Sequence, residues 1–320
     1  MINKILRKLK EYIKKDNNKT YESKGLLNFD GISCQDYIFK MIKSGIPFMV
    51  SRFGSVELDA ICYCLNSNIK FDFVRKVHYI LDKTSSPKLE EDDYVAKTLT
   101  NNAGFFPYNK DNLNKFTQIY LDSIKDIDLL GSWLIKEKYV SSYMDKNVKY
   151  AKLGDLEPYK FNNPWSKALE NKKVLIIHPF ENSIKFQYNN NRKMIFKDEN
   201  VLPNFQLITL KSVQSIAGEK TDFNTWFDAL DSMKKKIDDI DFDISIIGCG
   251  AYGLPLASYI KSIGKQAIQL GGATQILFGI KGKRWEERND FVALFNEFWK
   301  NPEISEVPKN SHNVENGCYW

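Results

Sequence analysis

The stretch Ile244-Ser245-Ile246-Ile247-Gly248-Cys249-Gly250-Ala251-Tyr252-Gly253 decides how this chain reads. An apolar, β-branched run ends in glycine, and three glycines follow at G-x-G-x-x-G spacing. Leu254 to Ile260 continues with a helical apolar pattern that stops at Gly264. Strand, glycine turn and helix in that order form a phosphate cradle. The glycines let the backbone approach an anion, and the helix N-terminus aims free N–H groups at it. Gly248, Gly250, Tyr252 and Gly253 are therefore candidate nucleotide- or phosphate-binding residues. The bland alternative is a tight strand–helix turn that binds nothing.

The next run, Gln266 to Leu270, predicts a strand ending in Gly271-Gly272, and Gly272 joins the phosphate-binding candidates. A dinucleotide site wants an Asp or Glu at the end of that strand to hold the ribose. The sequence there is Ile268-Gln269-Leu270-Gly271-Gly272, with no acid, so NAD and FAD are not expected.

Upstream, Lys173 to Phe180 is a buried-strand signal with His178 at its end, and Phe205 to Leu210 is another, running into Lys211-Ser212-Val213-Gln214-Ser215. Thr225 to Ile240 is an amphipathic helix. Strands alternating with helices predict an α/β, Rossmann-like parallel sheet with helices on both faces. Strand ends are where such sheets keep chemistry, so His178 is a candidate phosphate ligand or proton shuttle. A hydrogen-bonded strand-end histidine is the structural alternative.

The first half carries a second junction of this kind. Cys34 to Ser44 predicts a helix closed by Gly45. Pro47 to Phe53 predicts a strand closed by Gly54, with Ser55 as N-cap of a helix over Val56 to Leu65. Arg52 and Glu57 flank this turn. Arg52 can hold a phosphate through its fork of donors. Glu57 can ligate a divalent metal or accept a proton, or simply favour the helix dipole. Residues 66–150 read as mainly helical, over Phe71–Asp82, Leu89–Asn101 and Asn112–Lys125, with a strand from Asp128 to Leu134. His78 falls inside a helical pattern and reads as structural; Glu90-Glu91-Asp92-Asp93 reads as a solvated first turn. Asp155 and Glu157, in a loop, offer two further carboxylates for Mg²⁺ or Mn²⁺.

Beyond Gly272, Ala273 to Ile280 predicts a short helix and Trp285–Lys300 a closing one. Lys281-Gly282-Lys283-Arg284-Trp285 is a compact basic loop, in which Lys283 and Arg284 can clamp a diphosphate beside an aromatic ring. The aromatic segment Asn313 to Trp320 suits folding back over a pocket.

Bulk properties exclude several classes. The chain has 320 residues, 43% hydrophobic and 27% charged, as in a soluble protein, and no apolar run long enough to span a membrane. Five cysteines without metal-like clustering, and no signal peptide, favour a reducing cytoplasm. The net charge of +6 is concentrated in residues 1–19, which hold seven Lys/Arg against two acids. Nucleic acid is therefore not an expected partner. Ile2, Ile5, Leu6, Leu9, Tyr12 and Ile13 share one face of that basic segment. Residues 1–15 can thus lie peripherally on the inner face of the plasma membrane, or dock on a protein surface. Residues 1–20 are read as this helix and a linker, and 21–320 as the Rossmann-like unit, with a subdivision near 150–170 left open.

The segment Ser51-Arg52-Phe53-Gly54-Ser55-Val56-Glu57 resembles the Arg-aromatic-Gly-Asp-Gly-Glu motif of the GT-D-type bacterial glycosyltransferases. His178-Pro179-Phe180, Gln214 to Gly218, Ile247 to Gly253, Gly271-Gly272 and Phe278 to Trp285 look like an uncharacterised bacterial group associated with cell-surface polysaccharide gene sets. That likeness covers roughly residues 45–320. It implies a transferase that moves sugar from a nucleotide-diphospho-sugar to a glycan or lipid-linked acceptor, with a divalent metal held by Asp-x-Glu. Here Ser55 replaces that Asp and only Glu57 matches. Either Asp155 and Glu157 supply the missing carboxylates, or Arg52, Lys283 and Arg284 offset the leaving-group charge instead. The alternatives are a non-catalytic nucleotide-binding or scaffold subunit of polysaccharide assembly, and a Rossmann-type enzyme of another nucleotide-dependent reaction.

Overall fold

The computed structural model describes residues 6, 8, 9, 20–22, 24–67, 72–81 and 92–320. The helix and linker expected over residues 1–20 lie outside the described residues, except Leu6, Lys8, Leu9 and Thr20; Glu90-Glu91 lies outside them too. Among the described residues, no helix is long and apolar enough to cross a membrane.

The first half is mainly helical: α1 (Gly31–Ser44), α2 (Ser55–Ser67), α3 (Phe73–Ile80), α4 (Asp92–Ala103) and α5 (Lys110–Ser123), with strand β1 (Phe48–Ser51) between α1 and α2. Local chemistry sets their ends. Gly45 adopts φ 70° to stop α1. The Asp72 and Asn109 side chains accept the Arg75 and Asn112 amides at the starts of α3 and α5. α2 begins at Ser55 itself. Then come β2 (Leu129–Ser132), β3 (Lys149–Lys152), β4 (Lys173–His178), α6 (Glu181–Ile195), β5 (Gln206–Lys211), α7 (Trp226–Asp238), β6 (Ile244–Ile247), α8 (Gly253–Ser262), β7 (Gln266–Gln269) and α9 (Ala273–Leu277).

All seven strands are parallel, in the order β3-β2-β1-β7-β6-β4-β5. Strands on both sides of residues 150–170 belong to this one sheet. Successive side chains alternate between two cores, as the pleat demands. Met49, Leu130, Leu175 and Ile177 join one core with Leu58, Phe116, Trp226 and Leu256 of the helices. Phe48, Val50, Val174 and Ile176 join the other with Ile38, Ile184 and Ile276. Burial on both faces explains the near-continuous apolar strands. The fold is α/β, Rossmann-like, with helices on both faces.

This topology creates the site. After β1 the chain moves one way across the sheet, to β2 and β3; β7 arrives beside β1 from the other side. β4 and β6 likewise feed connections in opposite directions. Diverging connections open a crevice at the carboxyl ends of the strands.

Two expectations fail. No strand was expected at β3, a short edge strand of which only Ala151 is buried. The expected closing helix over Trp285–Lys300 is broken into two short turns, α10 (Lys283–Glu286) and α11 (Asn289–Val292). Arg288 is extended between them, its guanidinium turned onto Asp290 at 2.6 Å. The Asn296 side chain bonds the Phe298 amide and the Met194 carbonyl, fixing a turn where a helix would run.

Candidate active site

A cavity of about 570 Å³ crosses the carboxyl edge of the sheet. Arg52, Glu57, His178, Gly248, Gly250 and Arg284 all line it, although the sequence spreads them over more than 230 positions. Glu57 and the triple-glycine turn therefore share one pocket.

Arg52 leaves β1 directly opposite Gly271. A Cβ on Gly271, whose φ is +63°, would lie 3.0 Å from Arg52 Nη1. Arg52 Nε donates to the Phe53 carbonyl at 3.0 Å, and the guanidinium lies over the Trp133 ring, 5.0 Å from its centroid. Trp133 Nε1 donates to the same carbonyl at 3.0 Å. The fully buried Glu137 carboxylate accepts the Trp133 and Leu134 amides and the Ser132 hydroxyl. Glu137 thus fixes the indole on which the arginine rests. Burial pulls the Arg52 pKa down, and Glu57 partly opposes this.

Glu57 is 8% exposed, and burial raises its pKa against the pull of its own amide and of Arg52. Its carboxylate folds back over Gly54: a Cβ there would sit 1.8 Å from Oε2. Gly54 is needed for this close approach, not for an unusual φ.

His178 closes β4. Its Nδ1 accepts the Phe180 amide at 3.0 Å, which assigns the ring proton to Nε2. Burial lowers its pKa to about 3, so the ring is neutral at physiological pH. The occupied Nδ1 and the disfavoured cationic imidazole weigh against the proton-shuttle expectation. What remains is a neutral Nε2–H donor, consistent with the phosphate-ligand alternative.

The glycine turn is only partly a cradle. Gly250, at φ +56°, is exposed and lines the cavity with Gly248. Its neighbours serve packing. A Cβ on Gly248 would meet the Gly271 carbonyl at 2.6 Å, Thr274 Oγ1 at 2.7 Å and His178 Cδ2 at 2.8 Å. A Cβ on Gly253 would meet Gln269 Nε2 at 2.9 Å. Tyr252 borders the cavity, but it stacks on Trp226 with centroids 5.0 Å apart, and its hydroxyl lies 3.2 Å from Ser215 Oγ. The first turn of α8, Gly253 to Leu256, is buried throughout.

On the opposite wall, Gly272 lies under Tyr319 and Trp285. The expected fold-back of residues 313–320 is present. Val314, Glu315, Tyr319 and Trp320 line the cavity, and the Lys283 and Arg284 amides donate to the Trp320 and Cys318 carbonyls at 3.3 and 3.0 Å. Arg284 reaches the cavity, stacks on Tyr319 at 4.8 Å and forms an ion pair with Glu315. Lys283 does not reach it: its exposed Nζ bonds the Asn316 carbonyl at 3.3 Å. Lys283 and Arg284 open α10, where consecutive residues point in different directions, so Arg284 and Trp285 border the cavity while Lys283 does not.

The carboxylates expected around a divalent metal do not assemble. Asp155 lies outside the cavity lining; its Oδ2 accepts the Gly31 amide at 2.9 Å at the start of α1, where the helix dipole favours it. Glu157 lines the cavity but pairs with Lys160 at 2.7 Å. Among the described residues, no three His, Cys, Asp or Glu side chains converge. Of the three expected carboxylates, Glu57 and Glu157 line the cavity and Asp155 does not.

Sequence reading missed Trp133 as the partner of Arg52, and Ser212 and Gln214 as cavity residues. Ser212 Oγ, Gln214 Nε2 and Trp320 Nε1 are buried with no hydrogen-bond partner. The signal for Ser212 and Gln214 was the one that pointed to Arg52 and His178, a position just past a strand's carboxyl end. No family model, no curated protein and no solved structure matches this chain.

Proposed function

We propose that the cleft binds a nucleoside-diphospho-sugar and transfers its sugar to a hydroxyl of a glycan or lipid-linked acceptor. One observation carries this reading: Arg52 and two glycine turns lie in the middle of the cleft, not at an end. Arg52, the Gly271-Gly272 turn and the Gly248–Gly250 turn follow the three central strands β1, β7 and β6. Cavity extends past them to Trp133 beyond β2 and to Ser212 and Gln214 beyond β5. With strands about 4.8 Å apart, that is room on both sides of the charge. A central charge with two dissimilar flanks suits a diphosphate joining a base to a sugar.

In the transfer, the bond from the sugar C1 to the diphosphate oxygen breaks and its electrons leave with the diphosphate. Arg52 and Arg284 meet the charge that develops. The acceptor oxygen forms the new bond to C1 and gives its proton to the Glu57 carboxylate. Burial raises the Glu57 pKa and so its strength as a base. The basic, apolar-faced residues 1–15 would keep the protein at an anionic membrane carrying a lipid-linked acceptor.

The test is a titration with paired nucleotides and nucleotide sugars, followed by turnover with Glu57→Gln. Binding by the wild type, with turnover abolished in the variant and binding retained, is expected. Binding by no nucleotide sugar overturns the proposal. Binding without turnover favours the non-catalytic nucleotide-binding alternative, for which Ser55 at the motif's Asp position is the supporting observation.

A further inference from the structure

The two flanks of the cleft differ in what they leave unsatisfied. Beyond β4 and β5, Ser212 is 2% exposed and its Oγ has no partner. Gln214 Nε2 is buried without an acceptor. His178, 4% exposed, has its Nδ1 taken by the Phe180 amide, which leaves the ring proton on Nε2. All three residues border the cavity. Buried polar groups are nearly always paired, and orphaning one is costly. Two orphans just past the end of β5, beside His178 at the end of the neighbouring strand, mark a place where a ligand supplies the missing partners.

The loop that carries them is braced rather than slack. The Ser212 amide donates to the His178 carbonyl at 3.2 Å. Ser215 Oγ donates to the Gly104 carbonyl at 2.6 Å. Ala217 is held at φ 57°, ψ 22°, a left-handed conformation that non-glycine residues avoid and that clusters at functional sites.

Trp133, beyond β2, has the opposite character. Trp133 is 38% exposed, its N–H is bonded to Phe53, and Glu137 fixes its backbone. It offers a plane with no hydrogen bond left to give. Planar aromatic groups bind such a surface by stacking, and hydroxylated rings bind the first kind through hydrogen bonds.

We infer that the donor lies across the sheet in one direction, its sugar on His178, Ser212 and Gln214 and its base on Trp133. This rests on the nucleotide-sugar reading and adds the polarity of the ligand and the residues that select the sugar. Ser212 and Gln214 are then sugar-binding residues, and Trp133 is a base-binding one.

The experiment compares, by calorimetry, UDP with UDP-glucose and GDP with GDP-mannose on the full chain, using whichever pair the wild type binds. Ser212→Ala and Gln214→Ala should each weaken the sugar conjugate about 10-fold, the worth of one buried hydrogen bond. The free diphosphate should change less than about 3-fold and so also reports that the variants are folded. Trp133→Ala should weaken both ligands alike, by about 10-fold or more. If Ser212→Ala and Gln214→Ala weaken the free diphosphate as much as its conjugate, the ligand runs the other way and the inference is wrong. No change in either ligand overturns it equally. A wild type that binds neither member of any pair sinks the nucleotide-sugar reading beneath it.

Discussion

Two strand–glycine–helix junctions meet in this cleft, and they use glycine differently. After β6, the turn Gly248–Gly253 matches a phosphate-binding fingerprint, yet two of its three glycines serve packing. Gly248 lies against Gly271, Thr274 and His178, Gly253 against Gln269, and the start of α8 is buried. After β1, one glycine, Gly54, makes room for a carboxylate, and Arg52 stands beside it. The fingerprint junction is the rigid, uncharged floor; the plainer junction brings the charge. A glycine pattern reports where backbone and neighbours come close, and only the neighbours say whether the close partner is a ligand or the protein itself.

Alanine at each glycine breaks the comparison most sharply. In Gly248→Ala the new methyl meets a backbone carbonyl and two packed side chains below 2.9 Å, none of them able to swing into solvent. Overpacking of this kind should cost about 3 kcal/mol, seen as a lowered urea midpoint at unchanged m-value. In Gly54→Ala the three atoms nearest the methyl all belong to the carboxylate of Glu57, at the end of a flexible side chain. The stability loss should be about 1 kcal/mol, while turnover falls because the carboxylate is displaced. Equal stability losses in the two variants would mean that the junctions do not differ in kind.

What could be read in the sequence divides along the same line. The sheet was legible because strands buried on both faces are apolar throughout, and Gly45, Gly54 and Gly248 mark strand or helix ends. Arg52, Glu57, His178 and Arg284 were legible as site residues because strand ends and basic loops are where charge is useful. Packing direction was not. Lys283 and Arg284 are neighbours in sequence, yet only Arg284 faces the cavity. Asp155 looked like a metal ligand, but it caps α1, 124 residues earlier. Trp133 matters through a cation–π contact with Arg52, and pairings across 81 positions leave no trace in local pattern. β3 is too short and too exposed to show a period.

Acidification should move the two junctions in opposite directions. His178, packed on Gly248, has its pKa lowered to about 3 from 6.5 by burial. Its contribution to stability is full above pH 6.5 and is lost as pH falls toward 3, reaching about 2 kcal/mol by pH 5. Glu57 is raised by burial, so its protonated form suits the fold better. It costs stability at neutral pH, and that cost is relieved as pH falls through its folded pKa. His178→Asn keeps an acceptor for the Phe180 amide and should flatten the loss between pH 6.5 and 5. Glu57→Gln should raise stability at pH 7. Urea midpoints across pH 4–8 for the three proteins check both signs, and a wild-type loss above pH 5 that survives in His178→Asn would assign it to other groups.

The smallest expected effect concerns the second cation of the cleft. Arg284 already has an anion, the Glu315 carboxylate, and both side chains are more than a third exposed. Glu315, Asn316 and Gly317 are successive left-handed residues, at φ 46°, 58° and 80°, held by the Gly317 amide on the Val314 carbonyl at 2.9 Å. Left-handed backbone at two non-glycine positions is unfavourable, so the turn persists because its contacts outweigh that cost. An exposed ion pair contributes at most about 1 kcal/mol, and Glu315→Gln should change the melting temperature little. Its effect on ligand should be clearer. An incoming diphosphate competes with Glu315 for one guanidinium, so neutralising the carboxylate should tighten nucleoside diphosphate binding by about 3-fold, with the gain shrinking at high salt. Weaker binding in Glu315→Gln would reverse the relation: the carboxylate would then be orienting Arg284 toward the ligand rather than competing for it, and both walls of the cleft would be preorganised.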